Sequence, residues 1–310
     1  MYLLWLRVYF TWSLSFANTQ AFDLRGDTAV LRRLKPDPWN LAVNTDVGSN
    51  EKWYLHFLGA SLYMLRRLFC ASANKKGGVT MGFCEKVRKE TDFYWEASFY
   101  HPFVQGIADG SLPLEKFKFY MLQDAYYLKH YTKVLALAAA KATTDDDVQY
   151  FLQTAKFIHD AELELHRTTF KELGVTVDDL EQFEPAPAAY NYVSHMYNAV
   201  HNGDVAEAFA AILPCPWLYQ EIGQRLKDAC PNIPLYEQWI ALYASEEMLQ
   251  NIEVQKSMLD RYAKEQPAKL KVLQEHFKKS CYYEWMFWEM PWTKQSWEQG
   301  VYVNESASNL

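Results

Sequence analysis

No two cysteines in this chain stand at the CxxC spacing of a metal knuckle. The five present (Cys70, Cys84, Cys215, Cys230 and Cys281) are odd in number and too scattered for a disulfide ladder. A disulfide-stapled scaffold is thereby excluded. Reduced thiols in a cytoplasmic protein are expected, with at least one free for chemistry. Positive charge is also short: the net charge is -7, which gives no electrostatic case for nucleic acid as the main partner. Strand-like alternation joined by Asn-Gly hairpins is absent, and so is any internal repeat of fixed period. What is present is a chain of 310 residues, 50% hydrophobic and 16% aromatic, enough for a large ring-rich core.

The charge is unevenly distributed. Residues 1–80 carry 10 basic and 5 acidic side chains, a net of +5, whereas residues 81–310 carry a net of -12. The chain thus reads as two unrelated pieces meeting near Met81. The opening "MYLLWLRVYFTWSLSFA" is apolar, but Arg7 interrupts it, it has no basic start and it is short for a membrane span. Residues 23–53 sustain neither a 3.6 nor a 2 period and read as poorly structured. "KKGGV", just before Met81, can be encoded by a purine-rich run resembling a bacterial ribosome-binding site. Residues 1–80 are therefore expected to be a translated leader or a separate extension, and residues 301–310 a short tail.

From Met81 the pattern is helical nearly throughout. In residues 115–141 the apolar positions Phe117, Tyr120, Met121, Tyr127, Leu128 and Tyr131 share one helical face. Residues 145–174 open on three aspartates and close on Gly174; residues 185–204 open on prolines and end at Asn-Gly. Further long helices are expected over 234–263 and 267–288. Short breaks rich in Gly, Pro and Asn imply one all-α bundle.

Two acids lie on the wrong face. Asp124 falls inside the aromatic stripe, three or four residues from Tyr120, Met121, Tyr127 and Leu128. Glu284 has Ser280, Cys281, Phe287 and Trp288 at the same spacing. A buried carboxyl must be hydrogen-bonded, protonated or poised for a ligand. Tyrosine hydroxyls could satisfy Asp124 with no function attached. Glu284 in an apolar pocket is expected to have a raised pKa, as suits a general acid/base near neutrality. Cys215 stands between Pro214 and Pro216, where a helix start is expected. The dipole there should favour thiolate, the alternative being an inert packing residue. Trp217 and Tyr219 add surface for a flat ligand.

The stretches "HPFVQGIADGSLP" (101–113), "FYMLQDAYYLKHY" (119–131), "AYNYVSHMY" (189–197), "LPCPWLYQEIG" (213–223), "WIALYASEEM" (239–248) and "YYEWMFW" (282–288) resemble the TenA/thiaminase II family over about residues 81–300. That resemblance implies a helical fold like that of haem oxygenase, a homotetramer, and no metal or organic cofactor. It implies thiamin salvage by an aminopyrimidine aminohydrolase (thiaminase II). Such an enzyme converts 4-amino-5-aminomethyl-2-methylpyrimidine to the hydroxymethyl pyrimidine and ammonia, and cleaves thiamin to pyrimidine and thiazole. By the same resemblance Cys215 would be the nucleophile and Glu284 the general acid/base. Asp124 would bind the ring nitrogen and 4-amino edge, Tyr127 would line the pocket, and Tyr192 would hydrogen-bond or stack. Tyr219 would support the cysteine, Tyr243 would lie near the leaving group, and Phe287 would stack on the ring. Pro216 departs from the family, which more often has an aromatic residue there. Two rival readings stand beside this one. A metal- or haem-binding oxygenase would need ligand pairs, for which Glu162 and His166 are the nearest candidates, at i, i+4 rather than i, i+3. A non-catalytic transcriptional regulator would need a DNA-binding element that the acidic body does not offer.

Overall fold

A computed structural model describes residues 81–298, without the side chains of residues 161–167. The segment 1–80 and the tail 301–310 lie outside the described residues, among which there is no strand. The all-α expectation holds. Three short helices come first: α1 (Phe83–Glu90), α2 (Asp92–Phe99) and α3 (Pro102–Asp109). The third begins with Pro102 at its first position and the His101 ring capping the Phe103 N–H. It ends at Gly110, whose φ of 78° suits a residue without a side chain.

The next two helices form a long hairpin. Helix α4 (Leu114–Lys141) is the amphipathic stretch read from the sequence, and it packs along α5 (Asp145–Arg167). The aspartates at the start of α5 stand where the helix dipole favours them, and Thr144 accepts from the Asp147 N–H. The single helix expected over 145–174 breaks after Arg167 into a short turn, α6 (Thr169–Glu172), before Gly174 ends it at φ 60°. Two further helices follow, α7 (Val177–Glu181) and α8 (Pro187–Asn202), the latter with Pro187 in its first turn.

The remaining helices build the site. Helix α9 (Val205–Ile212) is capped by Asp204, which accepts from the N–H groups of Ala206 and Glu207. It runs into α10 (Pro214–Leu226) through the single residue Leu213, itself helical at φ -62° and ψ -36°. Pro214 and Pro216 have no N–H to return to the carbonyls of Ala210 and Ile212, so the hydrogen-bond ladder breaks here. Ser280 donates to the Ala211 carbonyl at 2.7 Å, and the Tyr131 hydroxyl lies 3.5 Å from that of Ile212. Two other helices therefore hold the break from the side.

The helix expected over 234–263 is two: α11 (Pro234–Tyr243) and α12 (Glu246–Glu265). Ser245 causes the break by capping the Met248 N–H, and Gln224 of α10 donates to the freed Ala244 carbonyl at 2.9 Å. After a 3₁₀ turn at Pro267–Lys269, α13 (Leu270–Thr293) runs through the middle of the bundle, touching α2, α4, α8, α9 and α10. The core is built of rings. Trp95, Tyr120, Tyr192, Tyr236 and Trp288 are fully buried, and each tyrosine or tryptophan brings a polar tip that needs a partner.

Gly223 lets α10 and α11 approach: a Cβ there would lie 2.3 Å from the Tyr243 carbonyl carbon. The Gly223→Ala variant is expected to lose about 1–3 kcal/mol in urea unfolding, because backbone must move. An unchanged midpoint would mean that the two helices can part freely. Ser280→Ala should cost about 1–3 kcal/mol by orphaning the Ala211 carbonyl. Thermal and urea denaturation check both.

Candidate active site

The candidate residues come from five helices. Helix α4 carries Asp124 and Tyr127, α8 carries Tyr192, and α10 carries Cys215 and Tyr219. Helix α11 brings Tyr243, and α13 brings Glu284 and Phe287. The structure gathers them into one ring-walled cluster. Tyr127 lies 5.0 Å from Tyr192 and 5.4 Å from Phe287, ring centre to ring centre. Tyr219 lies 4.8 Å from Tyr243. Cys215 is within hydrogen-bonding reach of Glu284, and the Asp124 charge bears on both.

Glu284 is 1% exposed. Its Oε1 accepts a 2.6 Å hydrogen bond from the Tyr192 hydroxyl. The Tyr192 ring is fixed by stacking on Tyr283 at 5.4 Å and 20°. Burial pushes the Glu284 pKa up to about 8; the bonds from Tyr192 and Cys215 hold it down, and the nearby Asp124 carboxylate raises it further. The pKa expected from the apolar setting of Glu284 is thus found.

For Cys215 the electrostatic expectation fails. It does occupy the first turn of α10. Its pKa is nevertheless pushed well up, first by burial and then by the Glu284 and Asp124 carboxyls, with the Tyr127 hydroxyl acting against them. The chain path also denies the sulfur a free helix dipole to set against these causes. Helix α9 ends where α10 starts, so the negative end of one dipole meets the positive end of the next. Two prolines also remove N–H groups that would have pointed at the sulfur. The resting group is a neutral thiol. Enough protein surrounds it to make a charge there costly.

The tyrosines supply the polar lining. The Tyr127 hydroxyl is buried without a hydrogen bond of standard geometry, although it stands close enough to Cys215 to favour the thiolate. Burial raises the pKa of Tyr127, Tyr192 and Tyr219 well above the ordinary value, so all are neutral donors near pH 7. Asp124 is buried on the same face, as expected, and its charge is felt by Tyr120 and Tyr219.

Three neighbours were not singled out as site residues from the sequence. Tyr120 donates to the Tyr219 hydroxyl at 3.1 Å, Trp239 donates to Tyr120 at 3.4 Å, and Tyr131 reaches the break beside Cys215. The signal was available for two of them: Tyr120 stands one turn before Asp124, and Trp239 one turn before Tyr243.

Among the described residues no three His, Cys, Asp or Glu side chains gather as metal ligands. The side chains of Glu162 and His166, named for the metal reading, lie outside the described residues. Among the described residues no helix is long and apolar enough to cross a membrane.

Known proteins are similar to this chain in sequence and fold. An aminopyrimidine aminohydrolase of Bacillus subtilis is 40% identical over 222 residues, 71% of this chain and 94% of that protein. The structure of a TenA homologue from P. horikoshii OT3 superposes with a TM-score of 0.64 at 32% identity, over 68% of this chain and 99% of that one. A domain with a haem oxygenase-like fold from Shewanella denitrificans shares the fold at a TM-score of 0.55 and 15% identity, over 70% of this chain and 94% of that one. The sequence profile of the TENA/THI-4/PQQC family matches residues 88–294, a range that contains every candidate side chain. With that helical fold, that match and the relative at 40% identity, the chain belongs to the TENA/THI-4/PQQC family.

Proposed function

We propose that this chain is an aminopyrimidine aminohydrolase that uses Cys215 as a covalent nucleophile. It releases ammonia from 4-amino-5-aminomethyl-2-methylpyrimidine and also cleaves thiamin to pyrimidine and thiazole, salvaging the pyrimidine. The observation that carries this reading is the buried contact between the Cys215 thiol and Glu284 beside Asp124, within an aromatic wall that includes Tyr127 and Phe287.

The chemistry follows from the proton positions. Both Cys215 and Glu284 resist ionisation, so the thiol needs a partner to take its proton as it reacts. Glu284, with a pKa of about 8, is matched to exchange a proton near neutrality. As sulfur bonds to a ring carbon, Glu284 in its carboxylate form takes the thiol proton. The displaced electron pair moves onto a ring nitrogen beside Asp124. When that pair returns, the bond from the 5-methylene to its substituent breaks, and Glu284 gives the proton to the departing amine. Water then adds to the exocyclic methylene while Glu284 takes its proton. The carbon–sulfur bond breaks, aromaticity returns, and the proton goes back to sulfur. Each proton that Glu284 gives it has first received. Phe287 and Tyr127 hold the ring in plane, Tyr192 holds Glu284, Tyr219 supports the cysteine, and Tyr243 lies near the leaving group.

In the same reading the enzyme works as a cytoplasmic homotetramer without metal or organic cofactor, and without nucleic acid. Gel filtration at the mass of four chains and full turnover in chelator check the first two points, and a gel shift at physiological salt the third.

Three outcomes are expected. Cys215→Ser should keep the melting temperature but lose nearly all turnover. Glu284→Gln should lose about 10²–10⁴-fold on the aminomethyl pyrimidine, whose amine must leave protonated, and less on thiamin, whose thiazole leaves without a proton. Equal losses on both would contradict the leaving-group role.

The third concerns stability. The Glu284 pKa is higher in the folded than in the unfolded chain, so between about pH 4.5 and about pH 8 the unfolded chain binds fewer protons at this group. Stability falls with rising pH across that window and levels off above it. Glu284→Gln should remove up to about 1.4 kcal/mol of that loss per pH unit. It should therefore unfold at higher urea than the parent at pH 8 while being nearly inactive.

A further inference from the structure

Outside the reacting pair, one polar group in the cluster has its hydrogen-bond direction set by its neighbours. Tyr120 is fully buried, and its hydroxyl has two bonded partners: the Trp239 indole at 3.4 Å and the Tyr219 hydroxyl at 3.1 Å. An indole N–H can only donate. Tyr120 must therefore accept from Trp239 and has only Tyr219, of these two, to receive its own proton. Tyr219 accepts that bond, so its own O–H is turned away from Tyr120. The polar groups bearing on it, besides Tyr120, are Asp124, Glu284 and Tyr243, the edge of the reacting cluster.

Ring packing holds the three side chains in this order. Tyr120 stacks on Trp288 at 5.9 Å and 25°, Tyr219 meets Trp288 at 4.9 Å, and Trp239 meets Tyr219 at 5.8 Å. This packing fixes where each oxygen and the indole nitrogen sit, and the O–H directions then follow from the partners. Trp239 and Tyr120 come from α11 and α4, so two helices combine to orient a group carried by α10.

We infer that Trp239 and Tyr120 are positioning residues that fix Tyr219 as a one-way hydrogen-bond donor beside Asp124. Tyr219 then offers a donor to an acceptor atom of the ligand, such as an unprotonated ring nitrogen, while Asp124 beside it accepts from an N–H. The assignment rests on the pyrimidine reading above for the identity of the ligand, but the hydrogen-bond order rests on the three side chains alone.

Two measurements test it and separate the two readings. The first needs no ligand. The Trp239 indole N–H resonance, identified by its loss in Trp239→Phe, should shift in Tyr120→Phe, and by a smaller amount in Tyr219→Phe, because bonds in a chain polarise one another. No shift in Tyr120→Phe would overturn the chain whatever the enzyme's substrate. The second is calorimetric binding of the hydroxymethyl pyrimidine. Trp239→Phe and Tyr120→Phe should each weaken it about tenfold, the size expected for one misdirected hydrogen bond. In a Tyr219→Phe background neither should weaken it further by more than about twofold, since both act through Tyr219. Undiminished losses in that background would reduce Trp239 and Tyr120 to packing residues. Trp239→Phe keeps a ring in place, so it answers the question even where Tyr120→Phe folds poorly. If the parent protein binds no pyrimidine while the indole shift is seen, the pyrimidine reading falls and the hydrogen-bond order stands.

Discussion

The site depends on keeping one carboxyl out of water without an ion-pair partner. Glu284 is buried on the central helix, and among the described residues its neighbours are a tyrosine hydroxyl, a thiol and another acid rather than a cation. Holding an acid with an ordinary pKa of 4.5 at about 8 opposes folding by on the order of 5 kcal/mol when the group is ionised. A core of rings offsets that cost. In return the protein has a proton carrier balanced near neutrality, which an exposed glutamate cannot be. The bond from Tyr192 keeps the carboxyl in one orientation, and the stack of Tyr192 on Tyr283 keeps the tyrosine in place.

The same constraint explains how the thiol is presented. A cysteine at a free helix start would be ionised and solvated, and beside two carboxyls its charge would be repelled. Here the helix start is closed off by α9, and the thiol stays neutral until a proton acceptor is at hand. The prolines on either side break the hydrogen-bond ladder, and the carbonyls of Ala211 and Ile212 are met by Ser280 from α13 and Tyr131 from α4. Those two helices also carry Glu284 and Asp124. The break beside the sulfur is thus tied to the elements holding its partners, and distance errors at the site are limited by the core itself.

Much of this was legible in the sequence, for reasons that can be named. The period of α4 showed its buried face, and Asp124 on that face could be read directly, because helical spacing fixes direction. Glu284 among Phe and Trp was legible in the same way, and its raised pKa follows from composition one turn either side. The breaks after Arg167 and Tyr243 were not legible, because Ser245 becomes a cap only when Gln224 from another helix takes the freed carbonyl. The direction of the Cys215 pKa was misread for a related reason. A dipole argument uses local sequence, whereas burial and two carboxyls arriving from α4 and α13 are long-range facts. Pairing of Trp239 with Tyr120 is likewise a contact across 119 residues. Residues 1–80 carry expectations that fall outside the described residues.

These long-range facts share one physical cause. Tyrosine and tryptophan are the side chains that fill a core and still carry a donor, so a ring-rich interior must resolve every hydroxyl into a partner and a direction. Near Glu284 the resolution gives Tyr192 a carboxyl to bond; near Asp124 it gives Tyr219 a bond to accept. A single packing rule therefore sets both the proton balance on one side of the cluster and the hydrogen-bond polarity on the other. Exchanging a core tyrosine for phenylalanine changes little volume but frees a neighbour to turn, and so the chemistry of this site should be more sensitive to lost hydroxyls than its stability is.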